Sequence, residues 1–325
     1  MTINLNKCVL LIGGCGFIGK HLTNACQKAG MTVRVADSIL PIESQCDTNV
    51  EYFHGDYRNP DFLLRIMDNV DYVVHLAHDT ILLNIDCNMS LEIERNILPS
   101  IKLMEICNSS QISKLLFVSS GGTVYGNRAS HEPIIEESAK HPVSVYGTTK
   151  LMIEQLGFLY HAQKNLPFIV ARPGNAYGPG QLPFRGQGFI ATAFASALLN
   201  QPMSVFGDGS VVRDYIHVTD IAEALVALLQ HGRAGEAYNV GTALGSSLRN
   251  IIDDFINPIL SEENYTLIYN YEPGRRADVD FNVLSNAKLL HDTGFSPKIS
   301  LNEGLSNTWE WIKVNTLENE KCQKI

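Results

Sequence analysis

The sequence predicts an α/β fold: a doubly wound parallel sheet with a smaller mixed α/β lobe towards the C-terminus. Short apolar runs alternate with helical patterns through the first half of the chain, as in a parallel sheet covered by helices on both faces. A glycine-rich turn joins the first apolar run to the first helix. Charged residues make up only 18% of the chain and hydrophobic residues 45%, which fits strands buried on both sides.

Continuous apolar runs are predicted to form the sheet, because strands buried on both faces lack the polar alternation of half-exposed strands. These runs are Lys7–Ile12, Thr32–Ala36, Val50–His54, Asp71–Leu76, Lys114–Ser119 and Phe168–Ala171. Apolar residues at helical spacing predict the covering helices. These helices are Phe17–Ala29, Ile93–Asn108 and Val145–Gln163.

The alternation breaks after about residue 173, at a loop rich in proline and glycine. Shorter elements follow: helices at Gly188–Leu199, Thr219–Leu229, Leu248–Ile259, Ser285–Leu290 and Leu301–Val314, and strands near Ser204 and Tyr215. A main domain is therefore predicted at residues 1–173, with 219–240 returning to it. The smaller lobe takes residues 174–218 and 241–315, and residues 316–325 form a frayed tail.

The composition excludes several classes of partner. The chain has 25 basic and 34 acidic residues, a net charge of −9, whereas proteins that follow nucleic-acid phosphates carry a basic excess or stripe. No apolar run reaches the ~18 residues of a membrane-spanning helix, and the N-terminus lacks a secretory signal. Seven scattered cysteines without a CxxC pair predict free thiols in a reducing cytoplasm. None of the ten histidines lies in an HxxxH or HExxH pattern, so no metal site is predicted.

The turn after the first strand predicts a dinucleotide site. Gly13, Gly16 and Gly19 form a GxxGxxG pattern between a strand and a helix, as in a Rossmann-type fold. Glycines allow close approach of the backbone, so a pyrophosphate can rest on the amides of the helix N-terminus. Asp37 ends the second strand, where a carboxylate binds the adenosine ribose hydroxyls and repels a 2′-phosphate. We therefore expect NAD rather than NADP, the alternative being a plain turn with a surface aspartate.

A second carboxylate follows the third strand. Asp56, within the sequence Gly-Asp-Tyr, can hydrogen-bond the adenine edge of the dinucleotide. The alternative is that Asp56 caps the following helix, which is a common role for aspartate.

Tyr146 and Lys150 are candidates for the chemistry. Their i, i+4 spacing puts both on one face of a helix, where the cation lowers the pKa of the phenol and favours proton transfer. Such a tyrosine can exchange a proton with a sugar hydroxyl while a hydride passes to or from nicotinamide. The spacing is common by chance, but here it follows a dinucleotide motif and the strand end Ser119–Gly126.

With these motifs the chain resembles an extended short-chain dehydrogenase/reductase, and within it the NAD-dependent nucleotide-sugar epimerase/dehydratase family that includes UDP-glucose 4-epimerase. The resemblance runs from Val9 to about Trp311. The matching pieces are the glycine turn, Gly55-Asp56, His75-Leu-Ala77, Asn96, Ser119–Gly126, Tyr146 with Lys150, Arg172–Asn175 and Gly207–His217.

The motifs and the resemblance together imply a set of binding residues. Those expected at the NAD cofactor are Gly13, Gly16, Phe17, Ile18, Gly19, Asp37, Asp56, Tyr57, Leu76, Ala77, Asn96, Ser119, Tyr146, Lys150 and Pro173. Those expected at the nucleotide sugar are Thr80, Gly121, Gly122, Thr123, Asn175, Gln187, Gly188, Phe206, Arg213, Arg275 and Asn282. The two arginines would clamp phosphates, because a guanidinium suits phosphate oxygens. The alternatives are an ion pair of Arg213 with Asp208 or Asp214, and core packing for Phe206.

The sequence departs from the family pattern at the catalytic turn. The family's catalytic Ser or Thr falls at Gly121, so either Thr123 or Ser120 supplies the hydroxyl, or Tyr146 works without it. A lysine near the sugar is replaced by Thr80. The Asp-Glu pair of the dehydratases is replaced by Gly122 and Thr123. The acid and base for removing the 6-hydroxyl are therefore absent, which argues against dehydration as the reaction.

A bulky tyrosine of glucose-type epimerases aligns with Asn282. The smaller side chain predicts room for a 2-acetamido group on the sugar. The alternative is that Asn282 caps the helix that begins near Ser285.

Three functions are compatible with these residues and with the resemblance. The first is an NAD-dependent 4-epimerase of a UDP-hexose or UDP-N-acetylhexosamine, working through a 4-keto intermediate. The second is a 4-ketoreductase or dehydrogenase of a dTDP- or GDP-linked deoxysugar, and the third a non-catalytic NAD-binding regulator. The resemblance also implies a homodimer through helices 93–108 and 145–163, although the stripe Ile97, Ile101 and Met104 could face its own sheet.

Overall fold

The structure is a computed structural model that describes residues 7–41, 46–79, 89–274 and 279–322, with side chains as far as residue 316. Its strands are β1 (Cys8–Ile12), β2 (Thr32–Asp37), β3 (Val50–His54), β4 (Tyr72–His75), β5 (Lys114–Val118), β6 (Phe168–Pro173), β7 (Asn175–Tyr177), β8 (Met203–Phe206), β9 (Val212–Arg213), β10 (Tyr215–His217), β11 (Ala237–Val240), β12 (Ser246–Ser247), β13 (Tyr269–Glu272) and β14 (Phe281–Asn282).

The α-helices are α1 (Phe17–Lys28), α2 (Pro60–Ile66), α3 (Met89–Glu92), α4 (Leu98–Ser109), α5 (Gly121–Val124), α6 (Val145–Lys164), α7 (Phe189–Leu198), α8 (Val218–His231), α9 (Leu248–Asn250), α10 (Asn257–Glu262), α11 (Ala287–Thr293) and α12 (Leu301–Cys322). A π-helical segment, Ile93–Ile97, joins α3 to α4, and a second one, Ile251–Ile256, joins α9 to α10.

The main sheet has seven parallel strands in the order β11-β6-β5-β4-β1-β2-β3. Leu11 pairs with Val35 on one side and Val74 on the other, so β1 lies between β2 and β4. The order reverses between β1 and β4, and ligands of open parallel sheets bind at such a switch point. The predicted α/β fold with a Rossmann-type sheet is confirmed.

Both faces of the sheet are covered, as the continuous apolar runs predicted. Val9 and Leu11 pack on one face with side chains of α1 and α8. Leu10 and Ile12 pack on the other face with side chains of α2, α4 and α6. Because the side chains of a strand alternate between faces, a strand that is apolar at every position is the sequence signature of this arrangement.

A second core lies under the smaller lobe. Phe194 of α7 and Trp309 of α12 pack with their ring centroids 5.4 Å apart, and Trp309 is only 1% exposed. The lobe's strands form three small sheets, β10-β7, β12-β9-β14 and β13-β8. In contrast, α8 and β11 belong to the main sheet, where α8 packs on α1 and β11 forms the edge beside β6.

Helices α2 and α12 are among the elements that differ from the sequence predictions. Helix α2 was not predicted, although Asn59 is an N-cap that accepts hydrogen bonds from the amides of Asp61 and Phe62, and Pro60 occupies the first turn. Helix α12 was predicted to end at Val314 but continues to Cys322. The added residues include leucine, glutamate and lysine, which favour helix even without tertiary packing.

Two further findings concern membrane-spanning helices and metal ligands in the described part of the chain. Among them, no helix is both long and apolar enough to cross a membrane. Within the same ranges, no group of three or more histidine, cysteine or acidic side chains is arranged to hold a metal ion. The cysteines with described side chains, Cys8, Cys15, Cys26, Cys46 and Cys107, are free thiols.

Candidate active site

The carboxyl ends of the central parallel strands form one edge of the sheet, and this edge holds a cavity of about 260 Å³. Several residues predicted for the cofactor line it: Gly13, Gly16, Asp37, Asp56, Tyr57, Leu76 and Ala77. Ser119 follows β5 and Pro173 ends β6 at the same edge of the sheet. The sequence motifs that follow the strands are therefore brought to one edge of the sheet, and those after β1 to β4 line the cavity.

The glycine turn requires its glycines for steric reasons. Gly13 has a φ of +82°, and a Cβ there would lie 2.7 Å from the amide nitrogen of Ala77. A Cβ on Gly19 would overlap the backbone of Gly14, so this glycine lets α1 pack against the turn. Larger residues at either position would push the turn away from its neighbours and from any ligand on it.

Helix α1 begins without a side-chain cap. Its N-cap residue is Gly16, which has no side chain to accept a hydrogen bond from the first turn. The amides at the start of the helix, those of Phe17 and Ile18 among them, remain available for an anion. This fits the pyrophosphate of a dinucleotide.

Asp37 is fixed at the end of β2 by two backbone amides. One carboxylate oxygen accepts a hydrogen bond from the amide of Cys15 at 3.0 Å, and the other accepts one from Ile39 at 3.1 Å. These bonds tie the carboxylate to the glycine turn and leave lone pairs for ribose hydroxyls. Residues 38–40 carry no positive side chain, so the expected preference for NAD has a structural basis.

Asp56 does not cap the helix that follows it. Helix α2 is capped by Asn59, whereas Asp56 forms an ion pair with Arg58 at 2.6 Å. Arg58 lies 3.3 Å from Asp79 as well, so its charge is matched by two carboxylates at the rim of the cavity. The Arg58 guanidinium, through its hydrogen bonds, lowers the pKa of the Asp56 carboxyl below its usual value. The predicted contact with adenine stays a prediction.

Asn96 lies in the π-helical segment and is buried. Its carboxamide oxygen accepts a hydrogen bond from the amide of Asp79 at 2.9 Å, and its nitrogen donates to the buried Glu92 carboxylate at 2.9 Å. The π-helical turn directs a polar side chain inward at this point, as such turns often do at functional sites. Asn96 therefore holds the segment after β4 in position beside the cavity.

Tyr146 and Lys150 lie in the first turns of α6, which Ser144 caps by accepting a hydrogen bond from the amide of Gly147, and the Tyr146 ring packs against His78 of the cavity lining. The Lys150 ammonium donates to the carbonyl of Val118 at 2.9 Å and lies 5.6 Å from the centre of the Tyr146 ring. Burial raises the pKa of Tyr146 to about 12 and lowers that of Lys150 to about 7. Burial therefore shifts the pKa of Tyr146 in the direction opposite to the lowering that the sequence predicted.

The catalytic turn has no space for a side chain at Gly121. A Cβ there would lie 2.8 Å from the carbonyl oxygen of Arg172 and would overlap the side chain of Leu284. The family's hydroxyl is therefore sterically excluded from this position. Thr123, two residues on, has a buried hydroxyl without a hydrogen-bond partner among the described residues. A buried hydroxyl of this kind is costly unless a ligand completes its bonding.

Both lobes meet at the catalytic turn. Asn282 of β14 donates from its side-chain nitrogen to the carbonyl of Gly121 at 3.0 Å, and its buried oxygen has no partner within the described ranges. Asn282 therefore lies at the site and does not cap a helix. Asn175 of β7 approaches from the other side, its side-chain oxygen 3.3 Å from where a Cβ of Gly122 would be.

The other predicted substrate residues lie further from the catalytic turn in the sequence. Gln187 and Gly188 precede α7, Phe206 ends β8 and is half-buried, and Arg213 lies on β9. The Asp214 carboxylate accepts hydrogen bonds from Thr242, Ala243 and Leu284, and Asp208 accepts the amide of Ser210. Thr80 and Arg275 lie outside the described residues.

A buried ion pair behind the site was missed by sequence reasoning. The Glu154 carboxylate receives two hydrogen bonds from the Arg172 guanidinium, at 2.7 and 3.0 Å, and one from the Ser119 hydroxyl at 2.5 Å. Arg172 also donates to the Tyr125 hydroxyl at 2.8 Å, which in turn donates to Asn239. Glu154 follows Lys150 by one helical turn, and that spacing was the signal available in the sequence.

Comparison with known proteins identifies the family. A model of the NAD dependent epimerase/dehydratase family matches residues 9–241, which is most of the chain and includes every element of the crevice. The chain belongs to this family. The predicted resemblance, the NAD cofactor and an enzyme of the nucleotide-sugar epimerase or oxidoreductase type are thereby confirmed.

The proteins similar to this chain include both epimerases and dehydratases. It is 28% identical to a putative UDP-glucose 4-epimerase of Methanocaldococcus jannaschii, over 94% of this chain and 99% of the relative. It is 26% identical to the human dTDP-D-glucose 4,6-dehydratase, over 95% of this chain and 91% of the relative. Among solved structures, the NAD complex of Thermus thermophilus UDP-glucose 4-epimerase is similar with a TM-score of 0.83 and 29% identity, covering 94% of this chain and 99% of that chain.

Proposed function

We propose that this enzyme is a 4-epimerase of a UDP-linked hexose or N-acetylhexosamine. The observation that carries the proposal is the pairing of Tyr146 and Lys150 with a catalytic turn that offers the Thr123 hydroxyl but no acid. Dehydratases of the family have an Asp-Glu pair where this chain has Gly122 and Thr123. Without a carboxylate there, removal of the 6-hydroxyl has no acid or base, whereas epimerisation at C4 needs only one proton acceptor.

Each residue has a defined task in the proposed reaction. Tyr146 takes the proton from the sugar O4 and later returns it to the same oxygen. In its protonated form Lys150 places a positive charge beside the phenol, which stabilises the phenolate that this transfer creates. Bound NAD supplies the acceptor for the C4 hydride. Because proton and hydride both return to the sugar, no cofactor is consumed.

The substrate assignment rests on the smaller lobe. Arg213 lies on β9, next to β14, and is proposed to bind a phosphate of the UDP group, for which a guanidinium fork is suited. Asn282 of β14 leaves more room beside the turn than the tyrosine of glucose-type enzymes. This supports a sugar that carries a 2-acetamido group.

A homodimer is proposed on a different surface from the predicted stripe. Ile97 and Met104 are buried against the protein's own sheet, so they are unavailable to a partner. Other apolar side chains of α4 and α6 are exposed: Leu98 by 53%, Met152 by 38% and Leu159 by 46%. Covering these side chains with a second copy would remove them from water.

The activity can be tested with the purified protein and no added cofactor. We expect it to form the C4 epimer of UDP-N-acetylglucosamine or of UDP-glucose, since tightly bound NAD is regenerated in every cycle. Failure to form either epimer, together with oxidation of NADH on a 4-keto-6-deoxy sugar nucleotide, would favour the ketoreductase. The lack of space at Gly121 favours that alternative, because reduction of a 4-keto group requires less help than oxidation of a 4-hydroxyl.

The proposed hydroxyl can be tested by Thr123→Val. The change replaces a hydroxyl by a methyl group of similar size, and we expect the rate to fall about 10²-fold because a donor to the sugar oxygen is lost. The free energy of unfolding should stay the same or rise, since a methyl group replaces a buried hydroxyl that has no protein partner among the described residues. Steady-state rates and urea unfolding measure the two effects.

Ser120→Ala is the matched control for this prediction. Ser120 precedes α5 and makes no capping hydrogen bond with its side chain, so its loss should leave both rate and stability near those of the wild type. A large loss of rate in Ser120→Ala with none in Thr123→Val would assign the hydroxyl to Ser120 instead.

A further inference from the structure

The imidazole ring of His78 is buried without hydrogen bonds to the described residues. Its side chain is only 7% exposed, yet neither Nδ1 nor Nε2 has a hydrogen-bond partner among the described residues. Buried polar atoms are normally satisfied, so two on one ring indicate that a partner joins from outside the protein. Burial also lowers the pKa of His78 to about 2, with Lys150 adding to the effect, so the ring is neutral and offers one donor and one acceptor.

The ring is held between parts of the active site. It packs against the Tyr146 ring in a T-shaped arrangement, with centroids 4.8 Å apart and planes at 86°. On the other side, Nε2 lies 3.9 Å from a carboxylate oxygen of the buried Glu92, too far for a hydrogen bond but close enough to restrict the ring. Its position is therefore set by packing, and neither nitrogen makes a hydrogen bond with the described residues.

The place of His78 along the sheet indicates which part of a ligand it meets. It lines the crevice with Gly13 and Asp37, the residues that follow β1 and β2. The sheet order is β4-β1-β2, so the turn after β1 lies between Asp37 and His78. With the adenosine ribose on Asp37 and the pyrophosphate on the turn after β1, the remaining half of the dinucleotide extends towards β4 and Tyr146.

We propose that His78 is a cofactor-binding residue whose imidazole hydrogen-bonds a hydroxyl of the nicotinamide ribose. A neutral imidazole can accept from one hydroxyl or donate to its oxygen, and the same ring packs against the acid/base tyrosine. His78 thus fixes the reactive end of NAD relative to Tyr146. The inference depends on NAD as cofactor and not on epimerisation, so the two can fail separately.

The test compares ligands of increasing length on the full chain, stripped of cofactor. His78→Phe keeps a flat ring against Tyr146 but removes both nitrogens. We expect this variant to raise the Kd for NAD⁺ and for ADP-ribose about five- to tenfold, as for one lost hydrogen bond. Its Kd for ADP should be unchanged. Isothermal titration calorimetry measures the three dissociation constants without any turnover.

A neighbouring histidine provides the matched control. His75 is also buried with an unpartnered Nε2, but it packs between the rings of Tyr57 and Phe117 and does not line the crevice. The ratios of the dissociation constants of NAD⁺ and ADP-ribose to that of ADP should therefore be the same in His75→Phe as in the wild type. If His78→Phe proves unstable, His78→Asn, which keeps a donor and an acceptor, should bind NAD⁺ more tightly than His78→Ala.

Several outcomes would overturn the proposal. One is wild-type affinity of His78→Phe for NAD⁺. Another is an equal loss for ADP, which would indicate general damage to the crevice. A loss for NAD⁺ without one for ADP-ribose would assign the contact to the nicotinamide ring and contradict the ribose. Equal affinities of His78→Asn and His78→Ala would likewise exclude a hydrogen bond.

Discussion

Tyr146→Phe is expected to lower kcat for C4 epimerisation by about 10³-fold while the protein stays folded and retains NAD. General acid–base catalysis by a positioned side chain contributes on this scale, and Tyr146 is the group proposed to accept the O4 proton. Only the hydroxyl is removed, so the ring still packs against His78 and beside Lys150. Initial rates with the preferred UDP-sugar, together with the NAD content of the purified variant, measure the effect.

Tyr160→Phe on the same helix is the control. Its hydroxyl lies 3.4 Å from the Glu105 carboxylate, about four helical turns along α6 from Tyr146, and its removal should leave kcat within a factor of two. A Tyr146→Phe variant with wild-type kcat would contradict the acid/base assignment under both the epimerase and the ketoreductase proposals.

The burial of Tyr146 and Lys150 shifts the pKa of both groups towards their neutral forms. Burial raises the pKa of Tyr146 to about 12, so the phenol is protonated in the free protein at neutral pH. Burial lowers the pKa of Lys150 to about 7, and the nearby Glu154 charge counteracts this in part. The cationic nicotinamide ring of NAD⁺ would favour the phenolate, which couples proton transfer to the oxidised cofactor.

Glu154→Ala should destabilise the protein by ~3–5 kcal/mol. The carboxylate and Arg172 are both fully buried, and removing one partner leaves a charge without compensation in the core. The Ser119 hydroxyl loses its acceptor as well, and Ser119 directly follows β5 at the crevice. The midpoint of urea unfolding, with its slope unchanged, measures the loss.

An exposed ion pair provides the control for this second prediction. Glu105 pairs with Lys102 at 2.7 Å, but both side chains are largely in solvent. Glu105→Ala should therefore change the free energy of unfolding by no more than ~0.5 kcal/mol. An equal change in Glu105→Ala and Glu154→Ala would show that the buried pair stabilises the fold no more than an exposed one.

Local sequence determined much of the fold and part of the site. Strands β1, β4, β5 and β6 were predictable because a strand buried on both faces is largely apolar, and the glycine turn was predictable because its spacing reflects the steric needs of Gly13 and Gly19. The Tyr146 and Lys150 pair was predictable from helical spacing. Each of these signals lies within a few residues of the feature it predicts.

The features that sequence reasoning missed depend on contacts between distant residues. The exclusion of a side chain at Gly121 arises from the carbonyl of Arg172 and from Leu284. Asn282 reaches the carbonyl of Gly121 across 161 positions of sequence, and nothing near Asn282 indicates this partner. The role of Asn96 in holding the segment after β4 also requires the buried Glu92 and the π-helical turn.

The central claim, that a hydride leaves C4 of a sugar nucleotide and returns to it within one active site, can be measured directly. Purified enzyme is incubated without added cofactor with UDP-glucose and UDP-N-acetylglucosamine carrying deuterium at C4, and the products are analysed by NMR and mass spectrometry. We expect the C4 epimer with its deuterium retained at C4 and no release of NADH. Loss of the deuterium to solvent, or net formation of NADH without an epimer, would contradict the claim.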